Sequence, residues 1–278
     1  MELFNSFNRI CVLLIVLFTS NIAIASELIL SAPPRESLAE GNKLYEPIAT
    51  YLSSVLGRKV TYKHSKNWFK YQMDMRNDKY DIIFDGPHFI SWRLKHLKHE
   101  VLVKLPGKLD FMLVADASNS SLKQSKDLTG KYFCGISPPN LSSLSFLASF
   151  SNPVIQPRVK GIKGGMGKVF QAFENKKCTA AMLRGSYYKT QLSENKRDQL
   201  KVLFRSSTLP NQAITASSRL SLKEKRKMSK GLLSADGVEV LQGIVDRFAE
   251  VNASSFTKTN NAEYKGYNKY LEGVLIGW

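Results

Sequence analysis

Tyr80-Asp81-Ile82-Ile83-Phe84-Asp85-Gly86-Pro87-His88 holds a strand and its exit in one stretch. Tyr80–Phe84 is the short apolar run of a buried strand, and Asp85-Gly86-Pro87-His88 is a turn that ends it. Upstream, Glu27–Ser31 reads as an apolar strand running into a loop fixed by Pro33 and Pro34. Pro47 suits a first helical position, and Ile48, Tyr51, Leu52, Val55 and Leu56 then repeat at helical spacing until Gly57. Lys59–Lys63 alternates as a strand and Trp68–Arg76 reads as a helix. Strand, helix, strand, helix, strand is the wiring of an α/β unit with a largely parallel sheet.

The pattern recurs downstream. Leu109–Ala115 reads as a strand, followed by a polar segment over Asp116–Lys126. Lys131–Ser137, Val154–Val159 and Cys178–Leu183 read as strands, with helices over Leu141–Phe150 and Met166–Glu174 between them. Two similar halves predict two lobes. Beyond Pro210 there are capped helices and an aromatic tail but no third set of alternating strands, so this segment completes an existing lobe.

Of 278 residues, 43% are hydrophobic and 10% aromatic, enough for a packed core and too apolar for a disordered chain. Forty basic against 23 acidic residues give a net charge of +17. Such a balance points to nucleic acid or another anionic partner. Two features weigh against nucleic acid: the lysines are scattered rather than interleaved with aromatics, and the amino terminus carries an export signal. The densest basic run, Lys223–Lys230, follows the capping box Ser221-x-x-Glu224 and reads as a solvated helix face.

That export signal is three-part: a polar start with Arg9, the apolar run Ile10–Phe18, and Ala23-Ile24-Ala25 as the cleavage site. The run is well short of the ~20 residues a membrane span needs. Cys11 lies inside it, not at its end, which argues against a lipoprotein. Residues 1–25 are thus expected to be removed and the rest to reside in the periplasm. Cleavage takes away Glu2 and Arg9 together, so the charge is unchanged.

Enzyme motifs are missing. There is no G-x-S-x-G elbow and no C-x-x-C. Gly161–Lys168 resembles a phosphate loop but has Ile162 for the first glycine and Val169 for the Mg²⁺-binding hydroxyl. His96-x-x-His99 is flanked by Lys95 and Lys98, whose field repels a divalent cation, so no metal site is expected. No cofactor and no catalytic set is assigned.

Ser31-Ala-Pro-Pro-Arg-Glu36, Tyr45-Glu-Pro47, Tyr51-Leu-x-x-x-Leu-Gly57, Tyr80–His88, Ser137-Pro-Pro-Asn-Leu-Ser-Ser143 and Asn175–Ala181 stand in an order that resembles the phosphate/phosphite/phosphonate family of ABC-importer solute-binding proteins. The resemblance covers nearly the whole mature chain. It implies the type 2 periplasmic binding protein fold: two α/β lobes, two crossover segments and a ligand cleft between the lobes. The first lobe is then residues 26–113 plus 209–278, and the second 114–208. It also implies a small anionic ligand, an ABC permease as partner and a monomeric receptor. A ligand-sensing protein that signals through a sensor kinase or other envelope partner is the alternative reading.

In open α/β sheets, ligands sit beyond the carboxyl ends of strands. Polar groups there are Arg35, Asp85, His88, Asn140, Ser142, Ser143 and Arg184, with Trp68 at a position the family fills with an aromatic. The family's Ser-Thr-Ser-Gly anion grip is reduced here to Leu141-Ser142-Ser143-Leu144. Asn140 as N-cap and the two serines are expected to hold an oxyanion at a helix start, with Arg35 and Arg184 neutralising it. Asp85 and His88 would read the ligand's other end, and Trp68 would wall the cleft. Met166 and Thr179 replace a family histidine and acid, which removes the groups that would hold an ammonium. Signal cleavage leaves Cys134 and Cys178, and the family's strand order makes their strands neighbours, so a disulfide is expected in an oxidising compartment.

Overall fold

The computed structural model describes residues 26–249, 253–275 and 278; the export signal expected over residues 1–25 lies outside them. The chain starts with β1 (Leu28–Ser31), α1 (Leu38–Leu56), β2 (Val60–Tyr62), α2 (Trp68–Arg76), β3 (Ile82–Asp85), α3 (Pro87–His96) and β4 (Glu100–Lys104). A short β5 (Lys108–Leu109) leads out to β6 (Phe111–Asp116), β7 (Tyr132–Gly135), α4 (Leu141–Leu147), β8 (Arg158–Gly161) and α5 (Gly165–Glu174). Then come β9 (Ala180–Arg184), α6 (Gly185–Thr190), α7 (Glu194–Asp198) and β10 (Leu200–Arg205). The return strand β11 (Leu209–Pro210) precedes β12 (Ala213–Ala216), α8 (Leu222–Leu232), α9 (Ala235–Phe248), β13 (Thr257–Lys258) and α10 (Lys269–Glu272).

Two sheets result, ordered β13-β4-β12-β3-β1-β2 and β10-β6-β9-β7-β8. Strands linked by a crossover helix are parallel: β1 to β2 and β3, and β7 to β8 and β9. The first strand after each passage between lobes breaks that rule. β12 inserts antiparallel between β3 and β4, and β6 lies antiparallel to β9. β5 and β11 pair with each other, Leu109 opposite Leu209, so the two crossovers form one ribbon between the sheets.

Several local expectations shift. Ser37 and Glu40 form a capping box that starts α1 at Leu38, leaving Pro47 inside the helix instead of at its first position. The apolar run expected as one strand over Leu109–Ala115 is split at Asp110, whose carbonyl accepts from Gly185 N at 2.8 Å. All of β6 pairs in the second sheet, so a lobe boundary after residue 113 cuts through a strand. Residues 153–155 form a single tight turn capped by Asn152, and β8 begins only at Arg158.

Each sheet buries its own core. In the first lobe Leu28, Leu30, Ile82 and Phe84 pack with Ile48 and Leu52 of α1 and Leu241 and Ile244 of α9. In the second, Met112, Val114, Ala181 and Leu183 pack with Val169 and Phe173 of α5. A further cluster joins the lobes: Tyr71, Phe89 and Trp92 are continuous with Leu113, Phe133, Leu144 and Phe146, and with Tyr270 and Leu271 of α10. Cys134 in β7 and Cys178, just ahead of the neighbouring β9, are disulfide-bonded with Cα atoms 5.6 Å apart.

Candidate functional site

Asp85, at the carboxyl end of β3, is fully buried and turned toward its own lobe. Arg93 lies two turns into α3, which starts with Pro87 at its first position. Its Nη1 donates to Asp85 Oδ2 at 2.6 Å and its Nη2 to Oδ1 at 2.8 Å. This is the two-pronged geometry that suits guanidinium to carboxylate. Tyr71 Oη donates to Oδ2 as well, and Arg93 Nη2 also reaches Thr215 Oγ1 at 2.9 Å. Burial opposes the arginine's charge, but the carboxylate more than offsets it and raises its pKa. Burial, reinforced by Asp85, holds the Tyr71 phenol well above its ordinary value. The expectation that Asp85 reads the ligand is therefore corrected: its oxygens are engaged by Arg93 and Tyr71. Sequence reasoning missed Arg93, whose signal is a lone cation among Phe89, Ile90, Trp92 and Leu94.

His88 and Asn140 come together from opposite lobes, through the residue before Asn140. His88 Nε2 donates to the Pro139 carbonyl at 2.9 Å. Burial lowers the imidazole pKa to about 4, so the ring is neutral and this is an ordinary N–H to carbonyl bond. Asn140 caps α4: its Oδ1 accepts from Ser142 N at 3.1 Å and Ser142 Oγ at 2.7 Å. Ser143 Oγ donates to Ile136 O at 2.6 Å. Both serines are fully buried and both hydroxyl protons are engaged within the loop. Gly135 makes this fit possible, since a Cβ there would lie 2.8 Å from Ser143 Oγ. Trp68 opens α2 under an Asn67 cap and stacks on Phe89 at 6.3 Å, next to His88 on the first-lobe side.

Arg35 and Arg184 meet at Phe248, the last residue of α9. From the first lobe, Arg35 lays its guanidinium 4.6 Å from the Phe248 ring centre and 5.6 Å from that of Phe84. From the end of β9 in the second lobe, Arg184 Nη1 donates to Phe248 O at 3.0 Å. Two cations from facing lobes thus converge on one residue of the cleft. Elsewhere, His96 bonds Glu272 and His99 bonds Asp78, so the His-x-x-His pair diverges. Among the described residues no group of side chains could hold a metal.

Two α/β lobes, a paired crossover ribbon and a cationic cleft between them define a two-lobed solute-binding protein. Residues 30–264 match the family of phosphonate ABC transporter periplasmic substrate-binding proteins, and the chain belongs to that family. A binding protein component of an ABC phosphonate transporter from Pseudomonas aeruginosa shares the fold at 18% identity and a TM-score of 0.59, over 86% of this chain and 83% of that one. PhnD1 of Prochlorococcus marinus, solved with methylphosphonate, is similar at 16% identity and a TM-score of 0.62, over 89% and 97%. A Xanthomonas citri protein bound to ATP reaches a TM-score of 0.69 at 9% identity, over 90% and 98%. Among curated proteins, none matches the chain significantly. No helix among the described residues is long and apolar enough to cross a membrane.

Proposed function

We propose that the mature chain captures a small oxyanion between its lobes and delivers it, as a monomer, to an inner-membrane ABC permease. The observation that carries this reading is the convergence of Arg35 and Arg184 on Phe248 from opposite lobes. Cations on facing lobes reward closure around an anion, because the anion meets both charges only when the lobes come together. Trp68 and His88 wall the cleft beside them. Asn140, Ser142 and Ser143 serve by holding the loop that offers Pro139 to His88. The ligand leaves chemically unchanged, since the chemistry here is recognition and release.

Titration calorimetry of the mature protein against inorganic phosphate, phosphite, methylphosphonate, methanesulfonate and propionate tests this. At least one is expected to bind, and Arg184→Ala to weaken it about tenfold or more through loss of a charge-assisted contact. Indifference to all five sinks the reading. Intact mass of periplasmic material is expected to begin at Ser26; a species retaining Met1 would refute export by cleavage.

A further inference from the structure

Two carboxylates near the cleft floor are each held by an arginine. Glu36, 6% exposed, accepts from Arg247 Nε at 2.9 Å. Asp85 is held by Arg93. Arg35 has no carboxylate partner among the described residues, and its Nε and Nη2 are buried without a hydrogen-bond partner. Those two nitrogens form a single edge of the guanidinium, with N–H bonds pointing the same way. Phe248 and Phe84, whose ring centres lie 5.6 Å apart, cover one side of the group, and the edge is what remains to be satisfied.

A second orphan donor stands near it. Tyr45 is fully buried in α1, and its hydroxyl has no partner other than the Arg35 side chain beside it. Arg35 is near enough for its charge to act on Tyr45, Tyr62, Tyr71 and His88. A buried cation without a counter-ion is costly in a low-dielectric interior, and so is a buried hydroxyl without a partner. One anion relieves both.

We propose that the edge of Arg35, with the Tyr45 hydroxyl as a third donor, seats the ligand's anionic head, a carboxylate, phosphonate or sulfonate offering two oxygens side by side. The seat is on the first lobe, not at the start of α4, whose serine hydroxyls are engaged. This inference rests on the reading of the chain as an anion receptor and specifies where and how the head binds.

The test compares wild type, Arg35→Lys, Tyr45→Phe and Arg184→Ala by calorimetry with inorganic phosphate, phosphite, methylphosphonate, methanesulfonate and propionate, together with thermal unfolding of each protein without ligand. Arg35→Lys keeps the charge but removes the two-pronged edge, so affinity is expected to fall about tenfold or more. Tyr45→Phe is expected to weaken binding severalfold while leaving the unliganded protein as stable as wild type or more so, because a buried unsatisfied hydroxyl is removed. A merely structural Tyr45 would not show that opposition. The probe with the greatest loss in Arg35→Lys identifies the head group. Wild-type affinity in both Arg35→Lys and Tyr45→Phe, with loss in Arg184→Ala, would overturn this seat and leave the receptor reading standing. Absence of binding by wild type to every probe would overturn both.

Discussion

His88 Nε2 lies 2.9 Å from the carbonyl oxygen of Pro139, and the two residues belong to different lobes. With the Arg184 bond to the Phe248 carbonyl, it ties the cleft shut by side chains that reach for backbone. His88→Ala removes the donor and leaves a buried carbonyl unsatisfied, which costs the closed form about 1–3 kcal/mol. Small-angle scattering of the unliganded variant is expected to show a larger radius of gyration than wild type. An unchanged radius would mean the bond does not set the lobe angle.

Acid should act through the same ring. Burial lowers both His88 and His99 from 6.5 to about 4, so each stays neutral in the folded chain at a pH where the unfolded chain has taken up a proton. Stability is therefore full above about pH 6.5 and falls as pH drops toward 4, by up to roughly 3 kcal/mol for each histidine. Urea midpoints at successively lower pH should fall across that window, and His88→Gln should flatten part of the slope. A midpoint constant through the window would refute the assignment.

Asp85 and Arg93 form a pair with both side chains fully buried. Asp85→Ala leaves Arg93 charged and without its carboxylate, at an expected cost of about 3–5 kcal/mol by urea unfolding. Replacing both partners with apolar residues of similar volume should recover most of that loss. Equal damage in the single and double variants would show that the pair contributes packing alone.

The Cys134–Cys178 bond closes a loop with a sequence separation of 44. In the chain-entropy model such a closure is worth about 4 kcal/mol. The denatured, unreduced periplasmic protein is expected to show no reactive thiol, and reduction should lower the unfolding temperature. Two titratable thiols would contradict the bond.

The periodicities that reveal α/β wiring are short-range, which is why the helix over Trp68–Arg76 and the strands around Ile29 and Ile83 were legible without coordinates. Element starts fixed by side-chain hydrogen bonds were less so. Ser37 and Glu40 carry the capping signal for α1, yet the apolar repeat at helical spacing is clear only from Ile48. Asp85 shows a deeper limit. A carboxylate in a Gly-Pro turn has the same local pattern whether it faces a ligand or an arginine two helical turns on. Only the packing of α3 against β3 and β12 decides. Arg35 could be singled out from its place after β1, but its missing counter-ion is a property of the folded charge pattern and has no sequence signature.

The insertion of β12 between β3 and β4 also sets an order of assembly. The second sheet draws all of its strands from residues 111–205, an unbroken stretch. The first sheet lacks a central strand until residues 213–216 arrive, and β4 lacks its other neighbour, β13, for longer still. In a chain synthesised from its amino terminus, the half that emerges first is thus the half that finishes last. Until then the facing edges of β3 and β4 stand open, unpaired and ready to accept a foreign strand. The hazard for this molecule falls during its maturation, in the interval when its first hundred residues must wait for its last seventy.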